Sequence, residues 1–262
     1  MTRILGILNC TPDSFSDGGR FLAAGAALDH GLRLLDEGAD AIDVGGESTR
    51  PGASAVSVEE ELARVLPVVR ALSHRARVSI DTRRAVVARA ALEAGAWLVN
   101  DVSGGGDPAM FPLVAEAGCD VVVMHMRGTP QTMQGHATYA DPVVEVWGEL
   151  AASVDRARLA GVPDTAMILD PGIGFAKTGA HNLALLRDLP SRTAAWPVMV
   201  GASRKRFLGE ITGQADAAAR VEASLVVAVH AARAGAAWVR VHDVAATWRA
   251  LATWRALEGA AP

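Results

Sequence analysis

One joint recurs along the chain. Glu37-Gly38-Ala39-Asp40 leads into Ala41-Ile42-Asp43-Val44, and Ala94-Gly95-Ala96 leads into Trp97-Leu98-Val99-Asn100. Ala117-Gly118-Cys119-Asp120 leads into Val121-Val122-Val123-Met124, and Ala234-Gly235-Ala236-Ala237 into Trp238-Val239-Arg240-Val241. Each joint reads as a helix closed by a glycine, then a short apolar run rich in β-branched residues. Runs at Arg77 to Asp81, Ala166 to Asp170 and Pro197 to Ala202 keep the same rhythm, and Ile4 to Asn9 supplies a first strand. Repetition of this kind indicates a reiterated αβ unit, with about eight strands in all.

Amphipathic segments fill the gaps. Ala24 to Glu37 has helical spacing, and Ser57-Val58-Glu59-Glu60 is a capping box opening a helix toward Leu72, in which Pro67 predicts a kink. Arg84 to Glu93, Asp107 to Glu116, Pro142 to Ala160, Asn182 to Leu189, Ala217 to Arg233 and Val244 to Leu257 complete the helices. Near-continuous apolar strands alternating with helices predict an all-parallel sheet covered by helices. About eight such units match a TIM (β/α)8 barrel better than a doubly wound sheet. No Gly-x-Gly-x-x-Gly follows the first strand, which also disfavours the dinucleotide-binding alternative. Without a linker or low-complexity tract, residues 1–262 read as one domain. Two strand-to-helix loops, Cys10 to Leu22 and Gly45 to Ser57, are longer than this fold needs. Polar and glycine-rich, they read as mobile active-site loops.

The totals narrow the classes. The chain has 262 residues, half of them hydrophobic, and a net charge of −4 with acids and bases well mixed. Nothing resembles the basic footprint of a nucleic-acid binder. Met1 to Leu8 passes straight into a core strand, with no signal-peptide pattern. No apolar run reaches the ~20 residues that span a bilayer. Cys10 and Cys119 lie in or beside apolar runs and read as buried reduced thiols. A cytoplasmic protein is expected, with neither nucleic-acid nor membrane partners.

The chemistry lies at the ends of the strands. Met167-Ile168-Leu169 ends abruptly on Asp170, followed by Pro171-Gly172-Ile173-Gly174-Phe175-Ala176-Lys177-Thr178. A buried strand ends this way when it delivers one charged group through a tight loop. In a parallel barrel all such ends converge on one face. There stand Asn9, Asp43, Asp81, Asn100, His125, Asp170, the Ser203-Arg204-Lys205 run, Arg240 and His242. So many polar groups at one end of a core must find partners, because each is costly to bury alone. Asp81, Asn100 and Asp170 suit a planar ligand with N–H donors and carbonyl acceptors. Arg240 and His242, two apart on one strand, face the same side and with Asn9 suit an anion. Lys205 and Arg240 belong to the seventh and eighth units, the habitual phosphate site of barrels, so a phosphorylated ligand is expected.

These strand ends fall within longer motifs. Asn9-Cys10-Thr11-Pro12-Asp13-Ser14-Phe15-Ser16-Asp17-Gly18-Gly19 closely resembles the first signature of the dihydropteroate synthase family, and Asp43-Val44-Gly45-Gly46-Glu47-Ser48-Thr49-Arg50-Pro51-Gly52 resembles its second. Ser79-Ile80-Asp81-Thr82, Asn100 to Gly105, Met124 to Pro130, the Asp170 stretch, Gly201 to Lys205 and Arg240-Val241-His242-Asp243 follow in family order. Cys10 stands where the family often has an aliphatic residue. The resemblance covers essentially the whole chain. It implies transfer of the pterin's exocyclic CH2 from 6-hydroxymethyl-7,8-dihydropterin diphosphate to 4-aminobenzoate, releasing pyrophosphate.

The resemblance also implies roles. Asp170 anchors the pterin, with Asn100, Asp81 and Lys205 completing its polar edge. Asn9 ligates Mg²⁺, which often keeps waters and binds through substrate phosphates. Arg240 and His242 meet the diphosphate. Ser203, Arg204, Phe15, Thr49, Pro51 and Phe175 lie on the aminobenzoate side. Asp17 and Arg50 act from the mobile loops, and with Lys205 they form the catalytic set. A homodimer is expected, with the apolar segment Ala223 to Val229 as its candidate face, although a buried helix gives the same pattern. Trp248 and Trp254 pack either on the barrel or on a partner chain.

Blander readings remain for some residues. Asp43 serves either the site or only the second loop. His125, between Met124 and Met126, reads as a satisfied core histidine, and Arg206 as a solvated neighbour. His30, His74, His136, His181 and His230 lack metal-ligand spacing and any evident partner. A methyltransferase-type pterin barrel would not need a diphosphate site or the two signature loops. A pterin-binding regulator without activity would not need Asn9, Asp17, Arg50, Lys205 and Arg240 together.

Overall fold

The computed structural model describes residues 1–10, 20–49 and 52–259. Its strands are β1 (Arg3–Asn9), β2 (Ala41–Gly45), β3 (Val78–Asp81), β4 (Leu98–Asp101), β5 (Asp120–Met124), β6 (Met167–Asp170), β7 (Met199–Val200) and β8 (Trp238–Val241). Every pairing is parallel, in the order β6-β5-β4-β3-β2-β1-β8-β7. The open ends meet through a single bridge, Leu169 to Val198, with Leu169 N donating to Pro197 O at 2.9 Å. The sheet therefore closes into the expected TIM (β/α)8 barrel. Nine α-helices among the described residues surround it: α1 (Arg20–Asp36), α2 (Val58–Ser73), α3 (Ala85–Glu93), α4 (Met110–Ala117), α5 (Pro142–Leu159), α6 (Gly179–Thr193), α7 (Arg206–Thr212), α8 (Val221–Arg233) and α9 (Val244–Leu257).

Burial on both faces explains why the strands are so apolar. Ile42, Val44, Val78, Ile80, Val99, Val121 and Val123 face outward into one cluster shared with the helices. Leu5, Ala41, Leu98, Val122, Ile168, Met199 and Trp238 face inward and plug the N-terminal end of the barrel. Fully burying each large apolar side chain is worth roughly 1.5–3 kcal/mol. The joint glycines Gly38, Gly95, Gly118 and Gly235 all have positive φ, as helix termination there requires.

The structure corrects several expectations. Pro67 does not interrupt α2, which runs unbroken from Val58 to Ser73. Pro67 and Ala63, the residue whose carbonyl a proline at 67 cannot bond, are both exposed, so that carbonyl is open to solvent. Pro190 likewise lies within α6 rather than ending it. The carbonyl it frees, Leu186 O, receives His230 Nε2 at 2.8 Å, so His230 has a structural partner after all. His181 also has one, pairing with Thr178 in the capping box of α6. β7 keeps two of the six expected residues. The unexpected α7 follows it, closed by Gly213 in the left-handed conformation.

Candidate active site

The C-terminal strand ends do converge, and they form one bonded network. Asp43 has no exposure at all. Its Oδ2 accepts from Asn100 Nδ2 at 2.9 Å and from Arg240 Nε at 2.6 Å. Arg240 Nη2 donates to Asp81 Oδ2 at 2.6 Å. The ends of β2, β3, β4 and β8 are thereby locked together across the barrel mouth. Asp43, left open between two readings, is thus the hub that positions Asn100 and Arg240. Asp43 Oδ1, Asp81 Oδ1 and Asn100 Oδ1 are buried with no hydrogen-bond partner among the described residues. Such acceptors are expensive to leave unmet and await donors from a ligand. Burial pushes the Asp81 carboxyl up to about 7, against the opposing pull of Arg240.

Asp170 closes the same floor from β6 and is 3 % exposed. Its Oδ1 accepts from Gly172 N at 2.7 Å, the turn beginning within its own loop. Burial pushes its carboxyl up to about 6, held back by that N–H and then by Lys205, Lys177 and Arg240. Gly172 has φ of +66°, and a Cβ there would fall 1.9 Å from His125 O, so only glycine fits. Further along the loop, the buried Phe175 ring lies under Lys205 Nζ, 3.9 Å from its centroid.

The β7–β8 side is built around Ser203. Its Oγ accepts from His242 N at 3.2 Å and lies 3.1 Å from His242 Nδ1. One hydroxyl thus meets both the backbone and the ring of His242. Burial, then the charges of Arg240 and Arg204, hold His242 down at about 3, so the ring is a neutral donor. Arg204 makes a two-point bond to Asp243, at 3.0 and 2.6 Å. Its φ of 58° is the left-handed conformation, uncommon for a residue other than glycine.

Asn9, at the end of β1, and Thr49, in the second loop, are half-buried. Phe15, Asp17, Arg50 and Pro51 lie outside the described residues. The described parts of the second loop are anchored. Glu47 holds Arg83 at 2.9 Å and Arg84 at 3.1 Å, and accepts from Val56 N at 3.2 Å. Beyond residue 51, Gly52 N donates to Pro130 O at 3.1 Å and Gln131 Nε2 to Ala53 O at 2.7 Å.

One cluster was not anticipated. His125 and Lys177 are both buried and 2.9 Å apart between Nδ1 and Nζ, and His125 Nε2 lies 2.9 Å from Glu149 Oε2. His125 is the satisfied core histidine its surroundings suggested. Lys177 gave no sequence signal, because a lysine after a glycine-rich loop reads like any surface cation.

A parallel barrel whose C-terminal mouth carries buried carboxylates, an amide and a fixed arginine defines a ligand-binding (β/α)8 enzyme, and the family of pterin binding enzymes matches it over residues 5–242. The dihydropteroate synthase of Mycobacterium leprae is 52% identical over 258 residues, covering 95% of this chain and 91% of that one. A structure of Xanthomonas albilineans dihydropteroate synthase with 4-aminobenzoic acid superposes with a TM-score of 0.93 at 46% identity, covering 100% of this chain and 94% of the other. Another from that organism, in complex with 7,8-dihydropteroate, gives a TM-score of 0.90 at 43% identity, covering 100% and 95%. The chain belongs to the dihydropteroate synthase family of transferases.

Proposed function

We infer that the network at the barrel mouth performs the family's condensation of 6-hydroxymethyl-7,8-dihydropterin diphosphate with 4-aminobenzoate. The observation that carries this is the set of unmet buried acceptors, Asp43 Oδ1, Asp81 Oδ1 and Asn100 Oδ1, beside the Asp170 carboxylate. A pterin edge presents adjacent N–H donors, and carboxylates bond such donors strongly and directionally. Asp170, Asn100 and Asp81 form the floor, with Lys205 facing the ring's acceptors.

The amine nitrogen attacks the exocyclic CH2, the C–O bond breaks, and the electron pair leaves with the diphosphate while the amine loses a proton. The barrier lies in charge separation, which fixed cations relieve. Arg240 is held at Nε and Nη2 by Asp43 and Asp81, which leaves Nη1 to meet the diphosphate without reorganisation. His242 adds a neutral N–H donor. Asn9 offers a hard amide oxygen suited to Mg²⁺. Among the described residues no group of three His, Cys, Asp or Glu could hold a metal, so the ion would depend on diphosphate oxygens and water. When bound, Mg²⁺ would offset the charge of the leaving group. Ser203, Arg204, Phe175 and Thr49, with Phe15 and Pro51, form the aminobenzoate side. Asp17 and Arg50 join Lys205 as catalytic groups.

In the same reading, residues 1–262 form one pterin-binding domain acting in the cytoplasm. No helix among the described residues is long and apolar enough to cross a membrane. The chain pairs into a homodimer through α8 and α9, where Val226 and Trp248 are exposed. Leu225, Val229, Trp254 and Leu257 line an apolar groove between these helices. The deciding experiment supplies dihydropterin diphosphate, 4-aminobenzoate and Mg²⁺ to the purified protein and follows pyrophosphate. Release that depends on aminobenzoate is expected; none above background would sink the reading.

A further inference from the structure

Beneath the pocket floor, the Lys177 cluster has no task in the substrate reading. Lys177 is 5 % exposed, and a buried ammonium is costly unless it is paired. Its Nζ donates to Phe175 O and to His125 Nδ1, both at 2.9 Å, and approaches His125 O at 3.5 Å. Those are three acceptors for the three N–H groups of an ammonium. His125, between this cation and Glu149, is fixed with its proton on Nε2. Burial and then the charge of Lys177 hold it down at about 4. Arg127 donates to Glu149 from behind, Nε to Oε1 at 3.0 Å, and Tyr139 donates to Ala176 O at 3.0 Å. The chain of contacts from Glu149 through His125 ends at Lys177, directly under Gly172. A Cβ on Gly172 would lie 3.3 Å from Lys177 Nζ, and the Gly172 N–H is the one that clamps Asp170 Oδ1.

We propose that Lys177 is a positioning residue for the pterin site: it ties the β6–α6 loop to the end of β5 and places a positive charge behind Asp170, so that the carboxylate meets its ligand ionised and aimed. The proposal rests on Asp170 being the pterin anchor. Three cations face Asp170: Lys205 from the segment before α7, Arg240 from β8 and Lys177 from its own loop. Lys205 stands over the Phe175 ring, whereas Lys177 is sealed beneath the floor, 5 % exposed. Burial lowers Lys177 itself to about 7, while first Asp170 and then Glu149 hold it up. Arg127 lies beyond His125 and opposes that charge, and Tyr139 packs beside them.

The test uses the full chain and a pterin without phosphates, titrated from pH 5 to 8, with affinities taken as ratios to wild type so that titration of the ligand cancels. Lys177→Met keeps length and removes charge. It should move the acid limb of binding upward by about one pH unit, because Asp170 then protonates more readily. Lys177→Arg should leave the limb in place. A Lys177→Met profile parallel to wild type, whatever the loss of affinity, overturns the proposal, since packing alone would then explain the residue. If the methionine variant does not fold, Lys177→Gln, which keeps a donor for Phe175 O, is read against the same two outcomes. Asp170→Asn separates the two ideas. Binding retained there overturns the anchor reading and this proposal together. Binding lost there, with Lys177→Met titrating like wild type, overturns this proposal alone.

Discussion

The two ends of the barrel are built from the same strands two residues apart. Ala41, Leu98, Ile168 and Trp238 belong to the apolar plug at the N-terminal end. One inward-facing position further along stand Asp43, Asn100, Asp170 and Arg240. Strand alternation puts each pair on the same side of its strand. Four steps of two residues therefore convert a dry plug into a bonded polar floor. The plug needs only shape and volume. The floor needs each group to find a partner, and acceptors of Asp43, Asp81 and Asn100 have none among the described residues. One end is therefore expected to hold stability and the other to spend some of it on recognition.

The variant that should damage both is Arg240→Ala. It leaves Asp43 and Asp81 as buried carboxylates without their cation, expected to cost about 3–5 kcal/mol in denaturant unfolding. Where the protein is folded, affinity for the diphosphate substrate should fall further than affinity for a phosphate-free pterin. Equal losses, measured by calorimetry, would remove Arg240 from the anion site.

Leu98→Ala should separate the ends. Leu98 is 1 % exposed within the plug, and the change should cost about 2–5 kcal/mol of stability. Pterin affinity in the folded protein should be unchanged, even though Asn100 is only two residues away. A large loss of affinity would mean that plug and floor are mechanically one unit.

Asp170→Asn makes the converse cut. The amide presents donors to the pterin's donors, so binding should fall by at least ~100-fold, about 3 kcal/mol. Stability at pH 8 should stay level or rise, because a charge that burial disfavours has gone. A marked drop in melting temperature would make Asp170 structural.

The smallest and most graded effect is the pH dependence. Burial raises Asp170 from 3.8 to about 6. Between those values the folded state binds more protons than the unfolded one, so the carboxylate's cost to stability is fully present above about pH 6 and fades as pH falls. The stability difference between Asp170→Asn and wild type should therefore shrink from pH 8 to pH 5, by no more than ~3 kcal/mol. Pterin binding to wild type should move the other way, weakening as pH falls through about 6. Taking the difference between variants cancels the shift of His242; Lys177, which Asp170 holds up, shifts further down in the variant and is read with it.

Much of this was legible in the chain. The glycine joints before β2, β4, β5 and β8 gave the repeat, because helix termination and β-branched runs are local properties. The polar strand ends were legible because the fold sends them all to one face. What escaped depended on neighbours remote in sequence. Pro190 reads as a helix stop until His230, 40 residues on, supplies the missing bond to Leu186. α7 hides in a seven-residue segment containing Gly209, too short to show a period. Asp43 stood open between the site and the second loop until Asn100 and Arg240 were seen to meet on it.

The sequence by itself determined the repeating unit, the parallel barrel and the list of groups at its mouth, since periodicity and capping act over a few residues and strand parity then assigns each side chain a face. Only the tertiary structure decided who pairs with whom. It made Asp43 a hub, gave Arg240 two carboxylate partners and left acceptors of Asp43, Asp81 and Asn100 open. It also set Lys177 beneath Gly172, where it touches the end of another strand. Those assignments depend on distances of about 3 Å between residues up to 197 apart along the chain, and on burial that turns such contacts into shifts of charge.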